Sequence, residues 1–108
     1  PTHVATLADF NSQVLKAEKP VIVNIWSPTC APCKRLAPVL VDVATSYAER
    51  VQVVDIGTTA EHKLLARLGV RSTPTLIMYE DGAEVGRISG FRPRGWFDEM
   101  IRAEFPDA

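Results

Sequence analysis

The apolar positions alternate between two rhythms along the chain. Leu7, Phe10, Val14 and Leu15 follow helical spacing, so about Ala8 to Glu18 is predicted as an amphipathic helix. Val21-Ile22-Val23-Asn24-Ile25-Trp26 is a nearly continuous apolar run, the pattern of a central parallel strand covered on both faces. From about Thr29 the helical spacing returns, with Leu36, Leu40, Val43, Ala44 and Tyr47 on one face. Pro38 lies inside that helix, removes one backbone hydrogen bond and is expected to kink it. Val51 to Ile56 is a second buried-type strand, and Glu61 to Leu68 a short helix capped by Gly69. Thr75 to Tyr79 is a third apolar strand. Glu80-Asp81-Gly82 turns the chain into a more polar edge strand carrying Val85 and Ile88. Trp96, Phe97, Met100, Ile101 and Phe105 mark a terminal amphipathic helix, and a short first strand is expected near Val4.

Alternation of strand and helix in the first half implies parallel strands joined by right-handed crossovers, and the hairpin adds antiparallel ones. The predicted fold class is α/β, a three-layer α/β/α sandwich around a central mixed sheet of four to five strands. A chain of 108 residues fits one such domain, residues 1–108, with no room for a second core.

Composition narrows the function classes. With 46% hydrophobic and 23% charged residues the chain is of ordinary globular type and unlike a disordered one. Twelve basic residues against thirteen acidic ones give a net charge of −1, so nothing in the charge recruits nucleic acid or an anionic membrane. The longest apolar run, Val21 to Trp26, is far short of the roughly 20 residues that span a bilayer. Pro1-Thr2-His3-Val4 shows no basic segment leading into an apolar one, and the expectation is a cytoplasmic protein, with a mature periplasmic form left open.

Chemistry concentrates at Cys30 and Cys33, the two cysteines of the chain. A bridge over two intervening residues closes almost no loop and removes little unfolded-state entropy, so it is a poor staple. The segment from Trp26 to Lys34 leaves a buried strand and enters a helix. There the first-turn N–H groups and the positive end of the helix dipole stabilise a thiolate, the nucleophilic form of cysteine. Cys33, one turn on, lies on the same side within bridging distance, and Pro32 costs nothing in a first turn. A tetrahedral metal site needs four ligands, and beyond the cysteines only His3 and His62 remain, so no metal is expected and both are read as surface histidines.

Trp26 before the motif, C-x-P-C followed by Lys34, the in-helix Pro38, Ser72-Thr73-Pro74-Thr75-Leu76 some forty residues on, and Gly90 after the hairpin together resemble the thioredoxin family over nearly the whole chain. The resemblance implies the thioredoxin fold and a reductase of protein disulfides. Cys30 attacks a substrate disulfide and Cys33 resolves the mixed disulfide, with the Cys30–Cys33 pair itself as redox centre and no other cofactor. It also implies a cis Thr73–Pro74 bond, which lets the backbone of Thr73 pair with an extended substrate. Trp26, Thr29, Ala31, Pro32, Thr73, Pro74, Gly90 and Phe91 then line or rim the substrate groove, with Asn24 and Lys34 in support. Trp26 can equally be core, Phe91 an anchor for its loop, and Arg87, Arg92 and Arg94 a solvated face or a steering patch for an acidic partner.

Several positions depart from the family pattern. Asn24 stands where a buried aspartate accepts the proton of the resolving cysteine, and Val53 is read as standing where a lysine near that aspartate is common. Cys33 would then lose its proton to water or to the leaving thiolate, unless Asn24 is a hydrogen-bonded core residue only. Thr29 replaces a tryptophan and Ala31 a glycine. Asparagine at this place also resembles the membrane-anchored thioredoxin-like proteins of cytochrome c maturation, whose usual extra segment is missing here.

The leading reading is a monomeric reductant of protein disulfides, recharged by a flavin-dependent thioredoxin reductase or another dithiol donor. The alternatives are a periplasmic or secreted oxidant, isomerase or cytochrome c maturation reductant, and a redox-inactive binding adaptor. The Ala31-Pro32 pair favours the reductant, and the intact cysteine pair argues against the adaptor.

Overall fold

Over residues 1–106, which the computed structural model describes, strand and helix alternate. The elements are β1 (Thr2–His3), α1 (Leu7–Phe10, continued by a π-helical segment Asn11–Leu15), β2 (Val21–Trp26), α2 (Ala31–Ser46), β3 (Gln52–Gly57), α3 (His62–Leu68), β4 (Thr75–Glu80), β5 (Ala83–Ser89) and α4 (Arg94–Glu104). The five strands form one mixed sheet in the order β1-β3-β2-β4-β5. β1 and β2 run parallel to β3, while β4 is antiparallel to both β2 and β5.

Side chains alternate across the sheet and divide the core into two layers. Val21, Val23, Ile25, Val54, Ile56 and Ile77 face α1 and α3, where they meet Phe10, Val14, Leu64 and Leu68. Ile22, Val53, Leu76 and Met78 face α2 and α4, where they meet Leu36, Leu40, Val43, Phe97 and Ile101. Both faces of the central strands are therefore covered, and the α/β fold with its mixed sheet follows.

Two local features differ from the sequence expectation. The first helix is α-helical for one turn only, because the Lys16 N–H bonds to the Asn11 carbonyl five residues back, and Glu18 lies outside it. β3 begins one residue later than the apolar run, set by its pairing of Gln52 with Val21. The hairpin turns through Asp81 (φ 51°) and Gly82 (φ 79°), two left-handed residues that match the twist of the flanking strands. A Cβ on Gly82 would come within 2.8 Å of the Leu15 carbonyl oxygen, so the turn is tied to the end of the first helix.

Two side-chain contacts hold α4 against α2. Phe97 is completely buried between them and the sheet. At the far end of α2, the Tyr47 hydroxyl donates to Asp98 Oδ1 at 2.6 Å, and Arg94 Nε donates to the same oxygen at 3.1 Å.

Phe97→Ala is expected to cost about 3–5 kcal/mol of unfolding free energy, read from urea denaturation. A loss below about 1 kcal/mol, the size of an ordinary surface change, would show that α4 lies outside the cooperative core. The Tyr47 hydroxyl, and after it Arg94, holds the Asp98 carboxyl below its ordinary value of 3.8. A folded value below the unfolded one means that this contribution is complete above the unfolded value and is lost as pH falls through the folded one. The stability gap between the parent and Asp98→Asn should therefore be widest above about pH 4 and close below it. A gap unchanged at acid pH would contradict that account.

Candidate active site

The site begins where β2 ends. Trp26 pairs with Gly57 of β3, and its indole lies over that glycine, where a Cβ would sit 3.0 Å from Trp26 Cζ2. The chain then turns through Ser27-Pro28-Thr29. The Cys30 N–H donates to the Ser27 carbonyl at 3.3 Å, and the Ser27 and Thr29 hydroxyls lie 3.3 Å apart. Cys30 is the N-cap of α2, in extended conformation, with Pro32 in the first turn.

The N–H of Cys33 donates to Cys30 Sγ at 3.2 Å, and the N–H of Lys34 to the Cys30 carbonyl at 3.2 Å. The sulfur of Cys30 thus takes the capping place that an oxygen usually occupies at a helix start. Cys30 and Cys33 are joined as a disulfide with Cα atoms 5.2 Å apart, inside the ordinary range for such bridges. Cys33 is buried and Cys30 half-buried.

Two further segments meet β2 at this edge of the sheet. Ile25 pairs with Thr75, so Thr73 and Pro74 enter β4 beside the point where the cysteine segment leaves β2. The Thr73–Pro74 peptide is cis. Gly90, left-handed with φ 93°, follows β5 and donates its N–H to the Pro74 carbonyl at 2.8 Å. Pro74 is buried and Thr73 half-buried, whereas Thr29, Ala31 and Lys34 are exposed. Phe91 is half-buried against the α2–α4 layer, with the Arg35 guanidinium 5.7 Å from its ring centre. The arginines around Gly90 are engaged locally. Arg87 forks onto Glu84 and donates to the Leu68 carbonyl, Arg94 pairs with Asp98, and Arg92 lies over Trp96.

Behind the disulfide lies a cavity of about 550 Å³, lined among others by Asn24, Trp26, Cys33, Lys34, Leu40, Asp55 and His3. Asn24 is buried at 5% exposure and pairs across the sheet with Asp55. Its Nδ2 donates to Asp55 Oδ1 at 3.1 Å. A carboxylate only accepts, so the amide nitrogen must face Asp55 and the amide oxygen must face away. That oxygen, Asn24 Oδ1, is buried with no hydrogen-bond partner among the described residues. Asp55 Oδ2 stands 3.9 Å from His3 Nδ1.

This register corrects the reading of Val53. Val53 pairs with Ile22 and belongs to the apolar layer, and the β3 residue beside Asn24 is Asp55. The neighbour of Asn24 is a carboxylate, Asp55, which the sequence reading missed, and His3, read there as a surface histidine, is indeed exposed beside it. The acidic residue inside an otherwise apolar strand was the available signal.

Among the described residues no group of three or more His, Cys, Asp or Glu is placed to hold a metal ion. The arrangement suits sulfur chemistry: one sulfur at a helix N-terminus, a second buried within the first turn, and the cis Thr73–Pro74 segment entering the sheet beside them.

Comparison with known proteins agrees. The family model described as Thioredoxin matches residues 1–103. Thioredoxin 1 of Synechococcus elongatus is 37% identical over 89 residues, covering 82% of this chain and 83% of its own. Thioredoxin C-2 of Corynebacterium nephridii is 38% identical over 80% of each chain, and the thioredoxin of Alicyclobacillus acidocaldarius 33% identical over 94% of each. Shared sequence over nearly the full length, with a bridged cysteine pair at the start of α2, means that the chain belongs to the thioredoxin family, as a thiol–disulfide oxidoreductase that reduces protein disulfides.

Proposed function

We propose that Cys30 is the attacking thiol and Cys33 the resolving one. The observation that carries this reading is the N–H of Cys33 donating to Cys30 Sγ at the cap of α2. A hydrogen bond to a charged group contributes about 1.5–3 kcal/mol. The helix end adds about 0.3–1 kcal/mol for an anion. Both favour a thiolate at Cys30, the more accessible sulfur, whereas Cys33 is buried at 6% exposure.

In the reduced form, Cys30 Sγ attacks one sulfur of a substrate disulfide and the other sulfur leaves as a thiolate. Cys33 then attacks Cys30 Sγ, releases the second substrate sulfur and regenerates the bridge. Two electrons pass to the substrate and return from a dithiol donor, such as a flavin-dependent thioredoxin reductase. The pair carries the electrons itself, so no bound cofactor takes part. The substrate groove runs along Trp26, Thr29, Pro32, Thr73, Pro74 and Gly90, with the backbone of Thr73 pairing an extended substrate segment. Convergence of β2, β4 and β5 at that edge supports this placement. The protein is proposed to act as a cytoplasmic monomer. No helix among the described residues is long and apolar enough to cross a membrane. The relatives lend no support to the oxidant, isomerase, cytochrome c maturation or adaptor alternatives.

With the bridge reduced, Cys30 is expected to be alkylated far faster than Cys33 near neutral pH, as read by mass spectrometry of modified peptides. Cys30→Ser should abolish reduction of a disulfide substrate, and Cys33→Ser should accumulate mixed disulfides at Cys30. Equal alkylation of the two sulfurs would remove the assignment.

A further inference from the structure

Cys33 must shed its proton before it can attack, because the thiolate and not the thiol is the nucleophile. Cys33 lines the cavity behind the bridge, and among the residues that line it with Cys33 one is a carboxylate, Asp55. Asn24 lines the same cavity, and its amide has a defined orientation. Its Nδ2 grips Asp55 Oδ1, and its Oδ1 is a buried acceptor in want of a donor. Buried acceptors are satisfied almost without exception, by water where the protein offers nothing. The cavity of about 550 Å³ is mostly apolar, but it has room for a water, and the polar groups of Asn24 and Asp55 on its wall can hold one.

We propose that Asp55 is the proton acceptor for the Cys33 thiol, working through the cavity that both share with Asn24. The reading of Cys33 as resolving thiol underlies it. The Cys33 proton passes through a water held by Asn24 Oδ1 to the Asp55 carboxylate, leaving a Cys33 thiolate and a neutral Asp55. The thiolate forms the bond to Cys30 Sγ, and the bond from Cys30 Sγ to the substrate sulfur breaks. The departing thiolate is protonated from solvent, and Asp55 returns its proton there. Asn24 is a positioning residue, fixing the carboxylate with one end of its amide and the water with the other.

The groups facing Asp55 fit this task. From β2 comes the neutral Asn24, from β1 His3 at 3.9 Å, and from α2 Lys34 lines the same cavity, as does Pro1. Among these lining residues no second carboxylate competes for the proton. His3 is exposed while Asp55 is largely covered, so the proton has a route to solvent along that edge.

The test uses the reduced protein with Ellman's disulfide in stopped flow. Attack by Cys30 releases one coloured thiolate, and resolution by Cys33 releases a second. For Asp55→Asn the first release should be unchanged and the second about 10²-fold slower near neutral pH, the usual scale for a lost general base. The deficit should shrink as pH rises, because hydroxide then takes the thiol proton in place of the missing carboxylate. Combining Asn24→Asp with Asp55→Asn keeps the amide–carboxylate pair and moves the base one strand over. That double variant should recover the second release at neutral pH, and it decides the matter if Asp55→Asn alone fails to fold. A second release unchanged in Asp55→Asn, or slowed equally at every pH, would overturn the proposal. Failure of Cys33→Ser to stop after one release would instead overturn the resolving role of Cys33 and leave Asp55 without a task.

Discussion

Everything at the active end depends on β2 being hydrogen-bonded on both edges and covered on both faces. Its first five residues are buried, and it pairs with β3 on one side and β4 on the other. A strand so constrained cannot slip, because a shift by one residue would exchange its two faces. Trp26 therefore leaves the sheet at a fixed point, and α2 starts four residues beyond the strand's end at its cap, Cys30. The apolar layer of Leu36, Leu40 and Val43 then holds the helix axis. Rigidity of this kind lets one N–H group at the start of α2 aim at one sulfur without reorganising during reaction.

The same constraint makes the polar pair behind the disulfide informative. A charge at the position of Asn24, inside the strand and 5% exposed, carries a heavy desolvation cost unless a partner offsets it. An amide there costs less and still grips a carboxylate. Asp55 is nearer the open edge of the cavity, with its side chain 15% exposed and His3 beside it. The carboxylate thus stands at the less costly of two adjacent positions, and it and Asn24 give a mostly apolar cavity its polar wall.

Much of this was legible beforehand. Elements β2, α2, α3, β4, β5 and α4 follow from apolar rhythm and from the capping Gly69, because each buries a continuous face. Cys30 and Cys33 were evident from spacing at a strand-to-helix junction. The π-helical end of the first helix was not, since Asn11 to Leu15 keep a spacing that either helix satisfies. Nor was the role of Gly57, whose missing side chain makes room for the Trp26 ring across a strand pair 31 residues apart in sequence. Such contacts belong to packing, and no local pattern announces them.

Asp55 escaped for a sharper reason. Val53 and Asp55 differ by two residues, so strand alternation puts both on the layer facing α2 and cannot choose between them. Distance along the strand chooses, at about 3.3 Å per residue or roughly 6.6 Å in all. That is the difference between lying beside Ile22 in a dry core and lying beside Asn24 at the cavity wall. The pairing of Val21 with Gln52 carries that choice along the strands, through Ile22–Val53 and Val23–Val54 to Asn24–Asp55. A parity argument finds the face of a residue, and only hydrogen-bond register finds its neighbour. In a site built across two strands, the neighbour decides whether a buried amide meets a hydrocarbon or a base.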